Sequence, residues 1–259
     1  MSQPVLITND DGIDSPGLHR LARLALDAGL APVVAAPWAE ASGSSAGLTA
    51  VGKDGRVVTE RRELPGLAGV EAYAVRALPG FIALLGTRDA FGGRPAAVLS
   101  GINRGPNTGN AILHSGTVGA AFTACAYGLP ALAVSLNATE RTTEPHWDTA
   151  AAVAARVLPW AAQQRDPVVV NLNVPDLPLD RVRGVRRATL SSFGAVETTV
   201  SEVGEGFVRI TLSQVESEYE PGSDAAYLAS GWATITPLNP LCEAAEVTLP
   251  DLTGELAAR

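Results

Sequence analysis

The sequence predicts an α/β protein: a mostly parallel β-sheet sandwiched between helices, with a C-terminal antiparallel β-ribbon extension. Three observations carry that prediction. Up to about residue 183, short and continuously apolar runs alternate with helical patterns, as in parallel strands covered on both faces. Loops rich in Gly, Asn, Ser and Pro follow the ends of those runs. From Ser191 onward the pattern changes to alternating apolar residues (Val200, Val203, Phe207, Val208, Ile210, Leu212) around Gly204-Glu205-Gly206, which reads as an antiparallel ribbon.

Taken in order, Pro4-Val5-Leu6-Ile7 is the first buried strand. Ser15 and Pro16 read as an N-cap followed by proline at the first helical position. The helix predicted over Leu18–Ala28 puts Leu18, Leu21, Ala22 and Ala25 on one face and stops at Gly29. Ala31–Ala36 is the second strand, ending at Pro37, and Leu48 to Val58 predicts a hairpin turned at Lys53-Asp54-Gly55. Ala96–Ser100 is a further strand. Ser115 to Asn137 is uncharged and long enough to span a bilayer, but Gly128-Leu129-Pro130 breaks it in the middle. The expectation there is a buried helix over Val118–Tyr127 and a strand over Ala131–Val134. A helix over Trp147–Ala162 and a strand over Val168–Leu172 complete the alternation. A lone two-stranded ribbon is marginal in water, so the C-terminal one is expected to pack on the core or on a second subunit.

Composition narrows the function classes. The chain has 259 residues, 46% hydrophobic and 18% charged, as in a folded globular protein. A formal net charge of −8 argues against sequence-independent binding of polymeric nucleic acid, which needs a basic surface. A small anionic substrate stays compatible with it, because a bound metal reverses the local field. Cys125 and Cys242 stand in no metal-ligand spacing and read as buried, inert thiols of a reducing compartment. The first residues enter a strand directly, with no basic segment leading into an apolar signal core. A cytoplasmic protein without a membrane segment is expected.

The chemistry concentrates in Thr8-Asn9-Asp10-Asp11-Gly12, at the carboxyl end of the first strand. Ligands of open α/β sheets bind beyond those strand ends. Two adjacent carboxylates there repel each other and lose solvation, a cost that a hard cation such as Mg²⁺, Mn²⁺ or Ca²⁺ offsets. The bland alternative is ordinary Asp-Gly turn chemistry. Three more loops would meet the same edge: Pro37 to Gly43, Ser100 to Asn110, and His114-Ser115-Gly116-Thr117 at the start of the buried helix. That last turn offers backbone N–H groups, hydroxyls and a positive dipole end, which suit phosphate.

Together these residues closely resemble the survival protein E (SurE) family of metal-dependent 5′/3′-nucleotidases. The resemblance is carried by Ile7-Thr8-Asn9-Asp10-Asp11-Gly12 with Pro16-Gly17-Leu18, by Ser42-Gly43, and by Ser100-Gly101-Ile102-Asn103-Arg104-Gly105-Pro106-Asn107. Ser115-Gly116-Thr117-Val118, Asn171-Leu172-Asn173-Val174-Pro175, Ser223-Asp224-Ala225-Ala226 and Ile235-Thr236-Pro237-Leu238 extend it over most of the chain. It implies a Rossmann-like, metal-dependent phosphatase core over residues 1–183 and an extension over 184–259 involved in oligomerisation, as a homodimer or homotetramer. It implies one divalent ion, Mg²⁺ or Mn²⁺, held by Asp10, Asp11, Ser42 and Asn103. Asp10, Asp11 and Asn9 would be catalytic, and Asn107, Ser115, Gly116 and Thr117 would bind substrate. The ion would activate a water that attacks the phosphorus of a nucleoside monophosphate. Two stretches depart from the family pattern: Trp38-Ala39-Glu40-Ala41, where charged residues are usual, and Ala77-Leu78-Pro79-Gly80-Phe81-Ile82, where Gly-Thr-Pro-x-Asp-Cys is usual.

Other readings are weaker. His114 beside the phosphate turn is either a general acid or a loop residue; His19 and His146 read as structural or exposed. Arg104 binds phosphate or is a solvated loop charge. Of four tryptophans, only Trp38 is placed to stack on a base. A haloacid-dehalogenase-like phosphatase would need Asp-x-Asp and a downstream lysine, whereas the carboxylates here are adjacent and Lys53 is the only lysine. No Walker A loop or dinucleotide-binding glycine turn is present. Activity on another small phosphate ester or on polyphosphate, and metal-dependent metabolite binding with little catalysis, remain the alternatives.

Overall fold

The computed structural model describes residues 2–50, 52, 54–139, 141–161, 164, 166–192, 196–214, 219–244 and 246–247, with the backbone alone at 196–199 and 211–214. Six parallel strands form the centre of its main sheet: β1 (Pro4–Thr8), β2 (Ala31–Pro37), β4 (Glu71–Val75), β5 (Ala97–Arg104), β6 (Ala131–Asn137) and β7 (Val169–Pro175). With β3 (Thr59–Arg62), β8 (Val185–Arg187) and β11 (Ala233–Leu238), the order is β3-β4-β2-β1-β5-β6-β7-β11-β8. β3 runs antiparallel to β4, and β11 antiparallel to β7. The chain leaves β1 toward β2 on one side and returns on the other side at β5. The sheet therefore reverses its winding between β1 and β5, the position where open α/β sheets open a ligand crevice.

Helices cover both faces, which is why the central strands β1, β5, β6 and β7 are buried over most of their length. α1 (Pro16–Asp27) and α4 (Trp147–Ala161) pack on one side, where Val5, Ile7, Leu18, Leu21, Val153 and Leu172 share a core. α2 (Pro79–Thr87) and α3 (Gly116–Ala126) cover the other, with Leu6, Ile82, Val98, Val118 and Ala121. Successive residues Val5, Leu6 and Ile7 thus alternate between the two cores, as the pleat requires. Each large side chain buried this way contributes roughly 1.5–3 kcal/mol. α1 starts as expected, with Ser15 at the N-cap and Pro16 in the first turn, though the Ser15 hydroxyl makes no capping bond.

The expected hairpin over Leu48–Val58 does not form among the described residues. Asp54 and Gly55 do turn, but Ala50 makes only a single bridge to Ala77, and the antiparallel partner of β4 is β3, just downstream. Val51 and Lys53 lie outside the described residues, as does Ala162 at the predicted end of α4. Isolated apolar residues among Gly47, Gly52 and Gly55 offer no face to bury. The charged run Thr59–Arg62 instead gains backbone pairing at the sheet edge, where its charges deter edge-to-edge association.

Beyond residue 183 the chain returns to the same sheet through β8 and β11, joined by the short helix α5 (Asp224–Ala229). Between them β9 (Val196–Gly204) and β10 (Phe207–Gln214) form the expected two-stranded antiparallel ribbon, with a register shift at Arg209/Ile210. Val200, Val203, Phe207, Val208 and Ile210 are all exposed on it. Cys125 is buried, whereas Cys242 is exposed, against the expectation of two buried thiols. Cys242 follows the last strand, in a stretch, 241–244, that is exposed throughout. No helix among the described residues is long and apolar enough to cross a membrane.

Candidate active site at the carboxyl edge of the sheet

Four segments meet beyond β1 and β5, and hydrogen bonds show how they are held. After β1, the Asn9 amide donates to the Gly12 carbonyl (3.0 Å), and Gly12 takes φ 96° to close the turn. Residue 12 must come close to its neighbours, since a Cβ there would lie 3.3 Å from the Ala39 backbone. The second segment is pinned by Ala41 N–H donating to the Asp10 carbonyl (2.7 Å). The third arrives with β5, whose Arg104 N–H donates to Asp11 Oδ2 (3.2 Å). The fourth is the start of α3, where the Thr117 hydroxyl donates to Asp10 Oδ1. Ser45 ties the second segment to the fourth through His114 and Leu113 carbonyls, at 3.2 and 2.8 Å.

Asp10 is buried and Asp11 half-buried. Burial pushes the Asp10 carboxyl upward, partly offset by hydrogen bonds from the Thr117 hydroxyl and from the backbone of Thr117 and Gly116. Asp11 is pushed up to about 7, first by burial and then by the charge of Asp10, with Glu40 adding to it and Arg104 opposing. Two carboxylates kept in this state are what a hard divalent ion would neutralise. Other oxygens stand nearby. Asn103 uses its amide N–H₂ on the Gly105 carbonyl (2.8 Å), so that its side-chain oxygen is the atom that could ligate a cation. The buried Asn9 Oδ1 and Ser44 Oγ have no hydrogen-bond partner. Among the described residues no cluster of three His, Cys, Asp or Glu side chains forms. Further ligands from the described residues would be neutral oxygens, and such an all-oxygen donor set fits a hard divalent ion.

Several expected residues serve their neighbours. The turn before α3 was expected to present unused donors, but the Ser115 hydroxyl accepts the Val118 N–H (3.0 Å) and Thr117 donates to Asp10. A helix N-terminus attracts whatever anion is close, and Asp10 is that anion. Gly116 cannot be larger, since a Cβ would sit 2.5 Å from Ser44 Oγ and 2.7 Å from Asp10 Cβ. Ser42 is exposed at the rim, its hydroxyl donating to Glu40 Oε1 (2.7 Å). Asn107 is buried in an amide network. Its N–H donates to Asn173 Oδ1, its carbonyl accepts from Asn171 and Asn173, and its side chain donates to Ser135, at 2.8–2.9 Å. Arg104 is an exposed loop residue whose guanidinium donates to the Thr139 and Thr142 carbonyls, at 3.2 and 2.7 Å. His19 bonds the Ile13 carbonyl and His146 pairs with Asp176, both structural roles.

The family model of survival protein SurE matches residues 5–196. The chain belongs to the SurE family. A 5′/3′-nucleotidase SurE from Klebsiella pneumoniae (strain 342) is 34% identical over 242 residues, which are 91% of this chain and 89% of that protein. One from Yersinia pseudotuberculosis (serotype O:1b, strain IP 31758) is 35% identical over 241 residues, with 90% and 89% covered. The crystal structure of the SurE protein from Aquifex aeolicus matches with a TM-score of 0.76 at 25% identity, covering 94% of this chain and 96% of that one. The metal-binding and substrate-binding assignments made from SurE resemblance all fall on the four joined segments.

Sequence reasoning assigned no role to Ser44, Glu40, Asn171, Asn173 or Asp224. Asp224 is fully buried and accepts N–H bonds from Gly109 (2.9 Å), Ser191 (3.0 Å) and Ala225 (2.8 Å). It fastens α5 to the loop between β5 and α3, from more than a hundred residues away in the chain. The only local signal was Ser223-Asp224 as a helix start; the Ser223 hydroxyl does accept the Ala226 N–H (3.2 Å).

Proposed function

We propose that the protein is a divalent-metal-dependent 5′/3′-nucleotidase that hydrolyses nucleoside monophosphates and releases inorganic phosphate. The observation that carries this reading is the Asp10–Asp11 pair, one carboxyl buried and the other half-buried, set at the winding reversal of the sheet against the start of α3. The nucleotidase names of relatives covering nine-tenths of the chain support it. In this reading Asp10, Asp11, Ser42 and Asn103 hold one Mg²⁺ or Mn²⁺. The ion, when bound, polarises the phosphoryl group and lowers the pKa of a water. Thr117 fixes Asp10 in place, and Ser115 and Gly116 form the floor on which the phosphate rests beside the positive end of α3. Asn9 closes the wall of the site, and Asn107 holds the third loop in register with β7.

The exposed apolar ribbon supports assembly as a homodimer or homotetramer, and two free thiols suit a cytoplasmic setting. The test is phosphate release from a panel of nucleoside monophosphates, sugar phosphates and short polyphosphates, with Mn²⁺ or Mg²⁺ and then with a chelator. Metal-dependent turnover of nucleotides ahead of the other esters is expected. Turnover that survives complete chelation, or binding of nucleotides without any release, would remove this assignment.

A further inference from the structure

The last residues of β2 and β4, Pro37 and Val75, are register partners, so Trp38 and Arg76 emerge side by side at the carboxyl edge that carries Asp10. Both are fastened through the backbone: Trp38 N–H donates to the Val75 carbonyl and Arg76 N–H to the Val58 carbonyl, each at 2.9 Å. The Arg76 guanidinium lies over the Trp38 ring, 4.7 Å from its centroid. No carboxylate pairs with Arg76 among the described residues. Trp38 is 47% exposed, although indole rings are ordinarily covered. The two line a cavity of about 350 Å³ with Glu40, Thr49 and Leu78, within the size range of small-molecule sites. Glu40 connects it to the reaction centre. It accepts the Ser42 hydroxyl, and Ala41 beside it donates to the Asp10 carbonyl.

We infer that this cavity receives the base of the substrate, and that Trp38 and Arg76 select purine nucleotides, guanine ahead of adenine. The inference rests on the nucleotidase reading and names its substrate class. A large planar ring gains most from an exposed indole face. A guanidinium with its donors unspent matches the paired O6 and N7 acceptors of guanine, whereas adenine presents an N6 donor in place of one of them. Aliphatic phosphate esters gain from neither group.

The experiment compares kcat/KM for GMP, AMP, UMP and ribose 5-phosphate, the last keeping sugar and phosphate but lacking a base. The unsubstituted protein is expected to rank GMP first and UMP last among the nucleotides. Arg76→Ala should lower the GMP to ribose 5-phosphate ratio by about five- to a hundred-fold. Trp38→Ala should lower the GMP and AMP ratios together, and Trp38→Phe should largely keep them. Ratios are unaffected if part of a variant misfolds. Unchanged ratios in both alanine variants, with nucleotides still cleaved, would overturn the base pocket and leave the nucleotidase reading intact. A protein that cleaves ribose 5-phosphate but no nucleotide would overturn both.

Discussion

At the scale of single residues, the site turns on one electrostatic conflict. Asp10 and Asp11 are adjacent, withdrawn from water, and both pushed above the ordinary carboxylate range, Asp11 to about 7. We predict that Asp10→Asn and Asp11→Asn each lower phosphate release by several orders of magnitude, because each removes a negative ligand. Calorimetric titration with Mn²⁺ should show the loss directly, and retained metal affinity in both variants would count against the pair as ligands. The pH dependence has a definite sign. Protons compete with the metal for Asp11, so Mn²⁺ affinity should fall as pH drops through about 7. The metal-free protein should respond the opposite way. A carboxyl raised in the folded state contributes stability below its unfolded value, and that contribution is lost as pH rises through about 7. Melting curves of the metal-free protein between pH 5 and 9 check this, and Asp11→Asn should flatten the profile.

At the scale of elements, the start of α3 shows how a short motif is read by its surroundings. Ser-Gly-Thr is a generic helix opening, and its Ser115 does cap the helix. The glycine between has a tertiary cause, since Ser44 and Asp10 occupy the place of its missing side chain. We predict that Gly116→Ala lowers kcat/KM roughly a hundred-fold, the scale of a catalytic group displaced by about 1 Å. The measurement pairs turnover with melting temperature. A melting temperature within a few degrees of the parent would place the loss in the site, while full activity would show that Ser44 simply moves aside.

At the scale of the whole molecule, the ribbon β9–β10 stands outside the nine-stranded sheet and exposes Val200, Val203, Phe207, Val208 and Ile210. Such a patch has its natural cover in a second copy. Light scattering at micromolar concentration should therefore give a dimer or tetramer. Val203→Asp with Phe207→Asp should shift it to monomer, and a monomeric parent would end this expectation.

Much of this molecule is legible in the order of its residues, for local reasons. Short continuous apolar runs bounded by turn residues read as strands buried on both faces, so β1, β2, β5, β6 and β7 follow from run length and from their Val, Leu, Ile and Ala content. Ser15-Pro16 and Gly29 bound α1 by backbone chemistry alone. The four segments of the site could be marked because each follows or precedes such an element. What the sequence could not determine is set by partners far along the chain. Thr59–Arg62 is a strand because β4 offers it an edge. Thr117 serves Asp10, and Asn171 and Asn173 hold Asn107, because β1, α3, β5 and β7 meet in space. Asp224 is buried because two N–H groups from distant segments, those of Gly109 and Ser191, converge on it beside that of its neighbour Ala225. Trp38 and Arg76 stack because parallel strands in register end together. Periodicity and capping are written in neighbouring residues, whereas the pairing of buried polar groups depends on which segments the folded sheet brings side by side.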